Sequence, residues 1–281
     1  MRLGVIGHPV GHSISPAIFR AAFAALGIEA SYEAWSTPPE ALPAAIARLR
    51  EPPMLGLNVT VPHKSAVLPL LDAVDPTATM IGAVNCISKE DDGRLVGHNT
   101  DHAGFLQSLA AAGCRPAGLR VVLIGNGGAA RAVAYALIEA GVASVAVAGR
   151  SPENVAAFIA SLDSRGISVE AITLHDDLEA ACAAAGLIVN CTTVGMRRTE
   201  TEGLSPLPED LIPAGAWAYD LIYNPAETAF LRQAREAGGR PIGGLEMLVL
   251  QAAAAVRIWT GREPPVGVMR DAARAALAAM E

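Results

Sequence analysis

Apolar positions along the first hundred residues come in two alternating patterns. Leu3 to Gly7 and Leu57 to Val61 are short apolar blocks of strand length, and Tyr32 to Ser36 reads as a third strand. Between them, Ile18, Phe19, Ala22, Phe23 and Leu26 recur at helical spacing, with Pro16 suited to the first turn and Gly27 to the stop. A second helix is expected over about Pro39 to Leu49, and a short one after Pro62. From Ala83 to His98 two short strands flank Asp91-Asp92-Gly93, a hairpin signal. A helix starting near Thr100 leads to a more regular series, with strands Val121 to Ile124, Ser144 to Ala148, Leu187 to Asn190 and Trp217 to Leu221 separated by alanine-rich helices. Two further helices, Leu245 to Trp259 and Val266 to Met280, end the chain. Strand-helix alternation of this kind predicts an α/β fold. Its first part is a mostly parallel sheet with an antiparallel hairpin, and its second is a Rossmann-type, doubly wound sheet.

Composition narrows the class. The 281 residues are 52% hydrophobic and 17% charged, which disfavours disorder and coiled coil. The net charge is −7 and no basic run forms a phosphate-binding stripe, so nucleic acid and anionic membrane are not expected partners. No stretch approaches about 18 uninterrupted apolar residues, and the apolar start is too short for a signal core, so the sequence reads as cytoplasmic. Cys86, Cys114, Cys182 and Cys191 are scattered and expected to be reduced thiols.

Gly125-Asn126-Gly127-Gly128-Ala129-Ala130 lies between a predicted strand and a predicted helix and fits G-x-G-x-x-G/A. Glycines there let the backbone approach a pyrophosphate at the helix N-terminus. The alternative is a tight turn without a ligand. At the end of the next strand an NAD site would carry a carboxylate, roughly 20 residues after the glycines. This chain has Gly149-Arg150-Ser151 and no carboxylate before Glu153. A forked cation and a hydroxyl suit a 2′-phosphate, which favours NADP, with an ordinary exposed loop arginine as the alternative.

Three polar groups stand out as candidate chemistry. In Asn58-Val59-Thr60-Val61-Pro62-His63-Lys64 the lysine falls in the first turn of the expected helix, opposing the macrodipole by about 0.3–1 kcal/mol. A partly desolvated amine there would give up its proton more readily and could serve proton transfer, although most lysines are simply solvated. In Asn99-Thr100-Asp101-His102, Thr100 or Asp101 could cap the following helix, or Asp101 could pair with the lysine. Ser13 and Ser15 could cap a helix or clamp a carboxylate. His8, His12, His63, His98 and His102 lie in or beside these motifs, but their spacing is not that of a metal site and no metal is expected.

These motifs resemble the shikimate dehydrogenase family over nearly the whole chain. The similar stretches are Gly7 to Pro16, Asn58 to Lys64, Gly82-Ala83-Val84-Asn85, Asn99-Thr100-Asp101, Gly125 to Ala129, Asp220-Leu221-Ile222-Tyr223-Asn224-Pro225 with Thr228, and Gly243 to Ala252. The resemblance implies a substrate-binding domain over residues 1–103, completed by helices 244–281, and a Rossmann NADP domain over 104–243. It implies reversible reduction of 3-dehydroshikimate to shikimate in aromatic amino acid biosynthesis, with Lys64 and Asp101 as the catalytic pair. By the same resemblance Ser13 and Ser15 hold the carboxylate, Thr60, Asn85 and Gln251 the ring hydroxyls, and Tyr223 another part of the substrate. Gly125, Asn126, Gly127, Gly128, Ala129, Arg150, Ser151 and Gly243 are implied to hold the cofactor. The chain departs from the family where Phe19-Arg20 stands for His-Asn, Gly149-Arg150-Ser151 for Asn-Arg-Thr, Asn126 for Ala and Cys86 for Thr. The rival readings are a quinate/shikimate dehydrogenase or related paralogue using NAD, a non-catalytic NADP-binding regulator, and a metal hydrolase. A homodimer is compatible with the sequence.

Overall fold

A computed structural model describes residues 1–173, 177–208 and 210–280. The chain divides into two compact units, Met1–Gly104 together with Val249 onward, and Phe105–Leu248. Both crossings fall inside helices, so the divisions lie one and five residues beyond those expected at 103 and 243.

The first unit opens with β1 (Arg2–Gly7), α1 (Ser15–Ala25), β2 (Ser31–Ser36), α2 (Leu42–Leu49) and β3 (Met54–Val59). It continues through β4 (Ala73–Val74), α3 (Pro76–Ile81), β5 (Cys86–Lys89) and β6 (Leu95–His98) into α4 (Asp101–Ala111). Its sheet runs β2-β1-β3-β5-β6-β4, parallel among the first three strands and antiparallel across β3, β5 and β6. Ile46, Leu49, Leu57, Val84, Ile87 and Leu95 belong to the core shared by α2 and the sheet.

The helix expected after Pro62 does not form. Residues 61–67 make successive turns and only Leu68–Leu70 is helical, as a single 3-10 turn. The carbonyl of Lys64 accepts the N–H of Val84 at 2.7 Å, so it is committed to a distant segment instead of the next helical turn. Lys64 therefore opposes no helix macrodipole, contrary to the expectation from spacing.

The second unit contains β7 (Arg120–Ile124), α5 (Gly128–Glu139), β8 (Ser144–Ala148), α6 (Pro152–Ala160), β9 (Ser168–Ile172) and α7 (Leu178–Ala183). Then follow β10 (Leu187–Asn190), β11 (Trp217–Asp220), α8 (Ala229–Glu236) and β12 (Arg240–Ile242). The order β12-β11-β10-β7-β8-β9 is parallel throughout and is the doubly wound arrangement. The central strands are apolar on both sides because separate cores cover the two faces of the sheet. The edge strands β9 and β12 were not visible in the sequence pattern. β9 is largely exposed, and β12 is three residues long with a proline at its centre, which only an edge tolerates.

Helix α9 (Leu245–Thr260) returns the chain to the first unit, where α10 (Val266–Ala278) packs along α1. Phe19 stacks on Tyr32 at 4.2 Å between ring centroids and meets Trp259 at 5.4 Å, which gives the departure at that position a packing role. Among the described residues no helix is long and apolar enough to cross a membrane.

Candidate active site

Sheet register in the first unit brings the polar motifs to one edge. Asn58 of β3 pairs with Cys86 of β5, and Cys86 with His98 of β6. Lys64 follows β3, Asn85 precedes β5, and Asn99-Thr100-Asp101 follows β6, so one row of the sheet sets all three motifs side by side. Backbone bonds from Val59 N–H to Asn85 O and from Asn85 N–H to His98 O, at 2.9 and 3.0 Å, pin the row.

Lys64 Nζ donates to Asp101 Oδ2 at 2.6 Å, with side-chain exposures of only 12% and 7%. The other carboxylate oxygen, Oδ1, accepts from Asn85 Nδ2 at 2.8 Å. Asn85 Nδ2 also donates to Thr100 Oγ1 at 2.9 Å and lies 3.3 Å from Gln251 Oε1, while Asn85 Oδ1 accepts the N–H of Thr100 at 2.7 Å. A bond of 3.5 Å is open from Thr100 Oγ1 to Gln251 Oε1. Two amide protons with near acceptors occupy Asn85, which makes it first a positioning residue for Asp101. Behind it, Asn58 Nδ2 donates to Asn85 O at 3.0 Å, and Tyr32 OH donates to Asn58 Oδ1 at 2.6 Å. Tyr32, Asn58 and Thr100 were not assigned these roles from sequence. The two buried asparagines were the available signal, because a buried amide needs partners.

Asn99 takes the capping task considered for Thr100 and Asp101. Its Oδ1 accepts the N–H of Asp101 at 3.0 Å and of His102 at 3.4 Å, which leaves the Asp101 carboxylate for Lys64 and Asn85. His98 lies between Asp75 Oδ2 at 3.1 Å and Ser88 Oγ at 3.0 Å. That order matches a hydrolytic triad, but Ser88 is buried and its hydroxyl donates to Glu90 at 2.8 Å, so the chain is a structural brace. Burial pushes the Cys86 thiol well up, so it is inert. Among the described residues no group of three or more His, Cys, Asp or Glu is placed to hold a metal.

Ser13 Oγ accepts the N–H of Ser15 at 3.2 Å, and α1 begins at Ser15 without a side-chain cap. Thr60 packs its methyl where a side chain on Gly7 would stand. Among the described residues no hydrogen bond ties Ser13, Ser15 or Thr60 to the lysine cluster. Tyr223 lies in the second unit, in the loop after β11. That loop is held by buried Asp220, whose Oδ1 accepts from Ile222 N–H at 3.0 Å and Asn190 at 3.1 Å and whose Oδ2 accepts from Thr228 at 2.7 Å. Burial pushes the Asp220 pKa up to about 6 against those hydrogen bonds.

The glycine loop lies at the carboxyl end of β7, where the strand order reverses between β8 and β10. Gly125 has φ of +106°, and a side chain there would press on Thr192 and Cys191 at 3.0–3.2 Å. Gly127 has φ of −83° and a side chain on it would meet nothing within 4 Å. The protein itself makes no demand for glycine at 127, as expected where a ligand backbone must come close. From Gly128 helix α5 starts with neither a side-chain cap nor an acidic residue in its first turn, leaving its N–H groups and positive dipole end for an anion. This loop fits a dinucleotide pyrophosphate. Ala129 continues that turn, and Gly243 follows β12. Arg150 is exposed after β8, while Ser151 is the N-cap of α6. A side chain at Gly149 would meet Val155 Cγ2 at 2.7 Å, which crowds out an amide at 149; nothing in the structure explains the amide at 126.

Comparison with known proteins follows the same two-part division. Residues 5–87 match the family described as the shikimate dehydrogenase substrate binding domain, 109–209 shikimate / quinate 5-dehydrogenase, and 244–274 the shikimate 5′-dehydrogenase C-terminal domain. Shikimate dehydrogenase (NADP(+)) of Moorella thermoacetica is 48% identical over 279 residues, covering 99% of this chain and 94% of that one. The crystal structure of shikimate 5-dehydrogenase from Thermus thermophilus in complex with NADP(H) and shikimate is 44% identical, with a TM-score of 0.87 over 99% of this chain and 100% of the other. Quinate dehydrogenase from Corynebacterium glutamicum in complex with NAD is 32% identical, with a TM-score of 0.89 over 98% and 99% of the two chains. Matched in three segments and across almost its full length, the chain belongs to the shikimate dehydrogenase family.

Proposed function

We propose that the chain catalyses the reversible NADP-dependent reduction of 3-dehydroshikimate to shikimate, a step of aromatic amino acid biosynthesis carried out in the cytoplasm. The observation that carries this reading is the 2.6 Å contact between Lys64 Nζ and Asp101 Oδ2, with the second carboxylate oxygen held by Asn85. NADPH, when bound, supplies the hydride in the reductive direction, and its oxidised form takes it back. Negative charge then develops on the substrate oxygen. Lys64 carries three protons, one of them committed to Asp101, and presents the others to that oxygen. As general acid Lys64 transfers a proton to the alkoxide, and in the oxidative direction its amine takes the proton of the hydroxyl. Asp101 holds the ammonium in place, and Asn85 holds Asp101. Ser13 and Ser15 are assigned to the substrate carboxylate, Thr60, Gln251 and Asn85 to its ring hydroxyls, and Tyr223 to a further contact. Gly125, Asn126, Gly127, Gly128, Ala129 and Gly243 are assigned to the dinucleotide, with Arg150 and Ser151 at its 2′-phosphate.

Oxidation of shikimate and quinate, each with NADP and with NAD, tests the reading by the absorbance of the reduced nicotinamide. Shikimate with NADP is expected to give the highest kcat/KM of the four pairs. Quinate with NAD giving the highest would transfer the chain to the rival activity within the family.

A further inference from the structure

The two helices that begin beside the glycine loop and the Arg150 loop differ in what their first turns hold. At α5 the first-turn donors are uncapped, whereas at α6 they are already used. Pro152 opens α6 and has no N–H. The N–H of Asn154 donates to Ser151 Oγ at 3.3 Å. Ser151 in turn donates its one hydroxyl proton to Glu153 Oε2 at 2.9 Å. Its own backbone N–H, then the Ser151 hydroxyl, hold the Glu153 carboxyl below the usual range, so this charge is present at neutral pH.

A phosphate arriving at this loop meets the Arg150 cation but finds the Ser151 proton and the α6 N-terminus committed to an internal anion. We propose that Glu153 is a specificity-determining residue that works against the cofactor 2′-phosphate, weakening the preference of this chain for NADP over NAD. The inference rests on the assignment of Arg150 and Ser151 to the 2′-phosphate made above. Glu153 repels the phosphate through its charge, an interaction it does not make with NAD, which lacks that group.

The test compares the full-length parent, Glu153→Gln and Arg150→Ala by calorimetric titration with NADP+ and with NAD+, alongside kcat/KM for each cofactor. Glutamine keeps an oxygen that can accept from Ser151 and removes only the charge, while the α6 cap, Ser151 Oγ accepting from Asn154 N–H, does not involve residue 153. Glu153→Gln is expected to raise the NADP:NAD affinity ratio about fivefold, entirely through tighter NADP binding, and the gain should shrink as salt is raised. Arg150→Ala should lower the ratio by about tenfold or more. If Arg150→Ala lowers the ratio and Glu153→Gln leaves it unchanged, Glu153 has no such role although the phosphate assignment stands. A Glu153→Gln change equal for both cofactors would mark a structural effect and also overturn the proposal. If Arg150→Ala leaves the ratio unchanged, the phosphate assignment fails and the inference fails with it.

Discussion

The Lys64 cluster and the glycine loop reach readiness by opposite means. In the first, chemistry is specified by side chains that already hold one another, with Asp101 bonded through both oxygens and Asn85 bonded at both ends of its amide. In the second, it is specified by what is missing, namely side chains at Gly125 and Gly127 and a cap on α5. Substitution in the first region removes a partner from a buried network, so turnover and stability should fall together. Filling the space in the second should weaken a ligand while leaving the fold alone, except where the backbone itself requires glycine.

The largest effect that would sharpen this contrast is expected at Asp101. Asp101→Asn leaves a mostly buried ammonium without its counter-charge, so kcat should drop by about 10²-fold or more and unfolding free energy by about 3 kcal/mol. Steady-state rates and urea titration read both, and loss of turnover with full stability would break the link between pairing and folding. Next comes the glycine pair. Gly127→Ala should raise the NADP dissociation constant about tenfold with an unchanged urea midpoint, whereas Gly125→Ala, forced into a left-handed conformation, should also lose about 1–3 kcal/mol of stability. Equal stability losses in the two variants would remove the distinction.

A smaller effect belongs to Asp220. Its pKa is raised from 3.8 to about 6 in the folded chain, so the folded state holds this proton more tightly than the unfolded state does. The stabilisation is fully present below the unfolded value and is lost as pH rises through about 6, at most about 3 kcal/mol. The urea midpoint of the parent, set against that of Asp220→Asn, should therefore fall between pH 4 and pH 7. A constant difference across that range would show that Asp220 stays charged throughout.

Much of this division was legible in the sequence, because strong periodicity marks the buried elements. The strands β1, β7, β8 and β10 announced themselves as apolar blocks, and the glycine loop as a spacing. Elements that depend on a distant partner did not. The segment after Pro62 looks helical until the carbonyl of Lys64 is seen bonded to Val84, and β9 and β12 exist because a neighbouring strand supplies their hydrogen bonds. The same holds within the site. Lys64 and Asp101 could be nominated from their motifs and from family resemblance, but Asn99 as the cap and Asn85 as the anchor emerge only when β3, β5 and β6 are in register. Glu153 was noticed only as the first carboxylate after the strand. Its hold on Ser151 is a matter of side-chain geometry that spacing does not encode.

Whether Lys64 delivers the proton is read from single-turnover reduction of 3-dehydroshikimate by Lys64→Ala with saturating NADPH. The expected rate is about 10³-fold below the parent and is partly restored by added ethylamine, with substrate affinity changed far less. A single-turnover rate within about threefold of the parent would contradict that role.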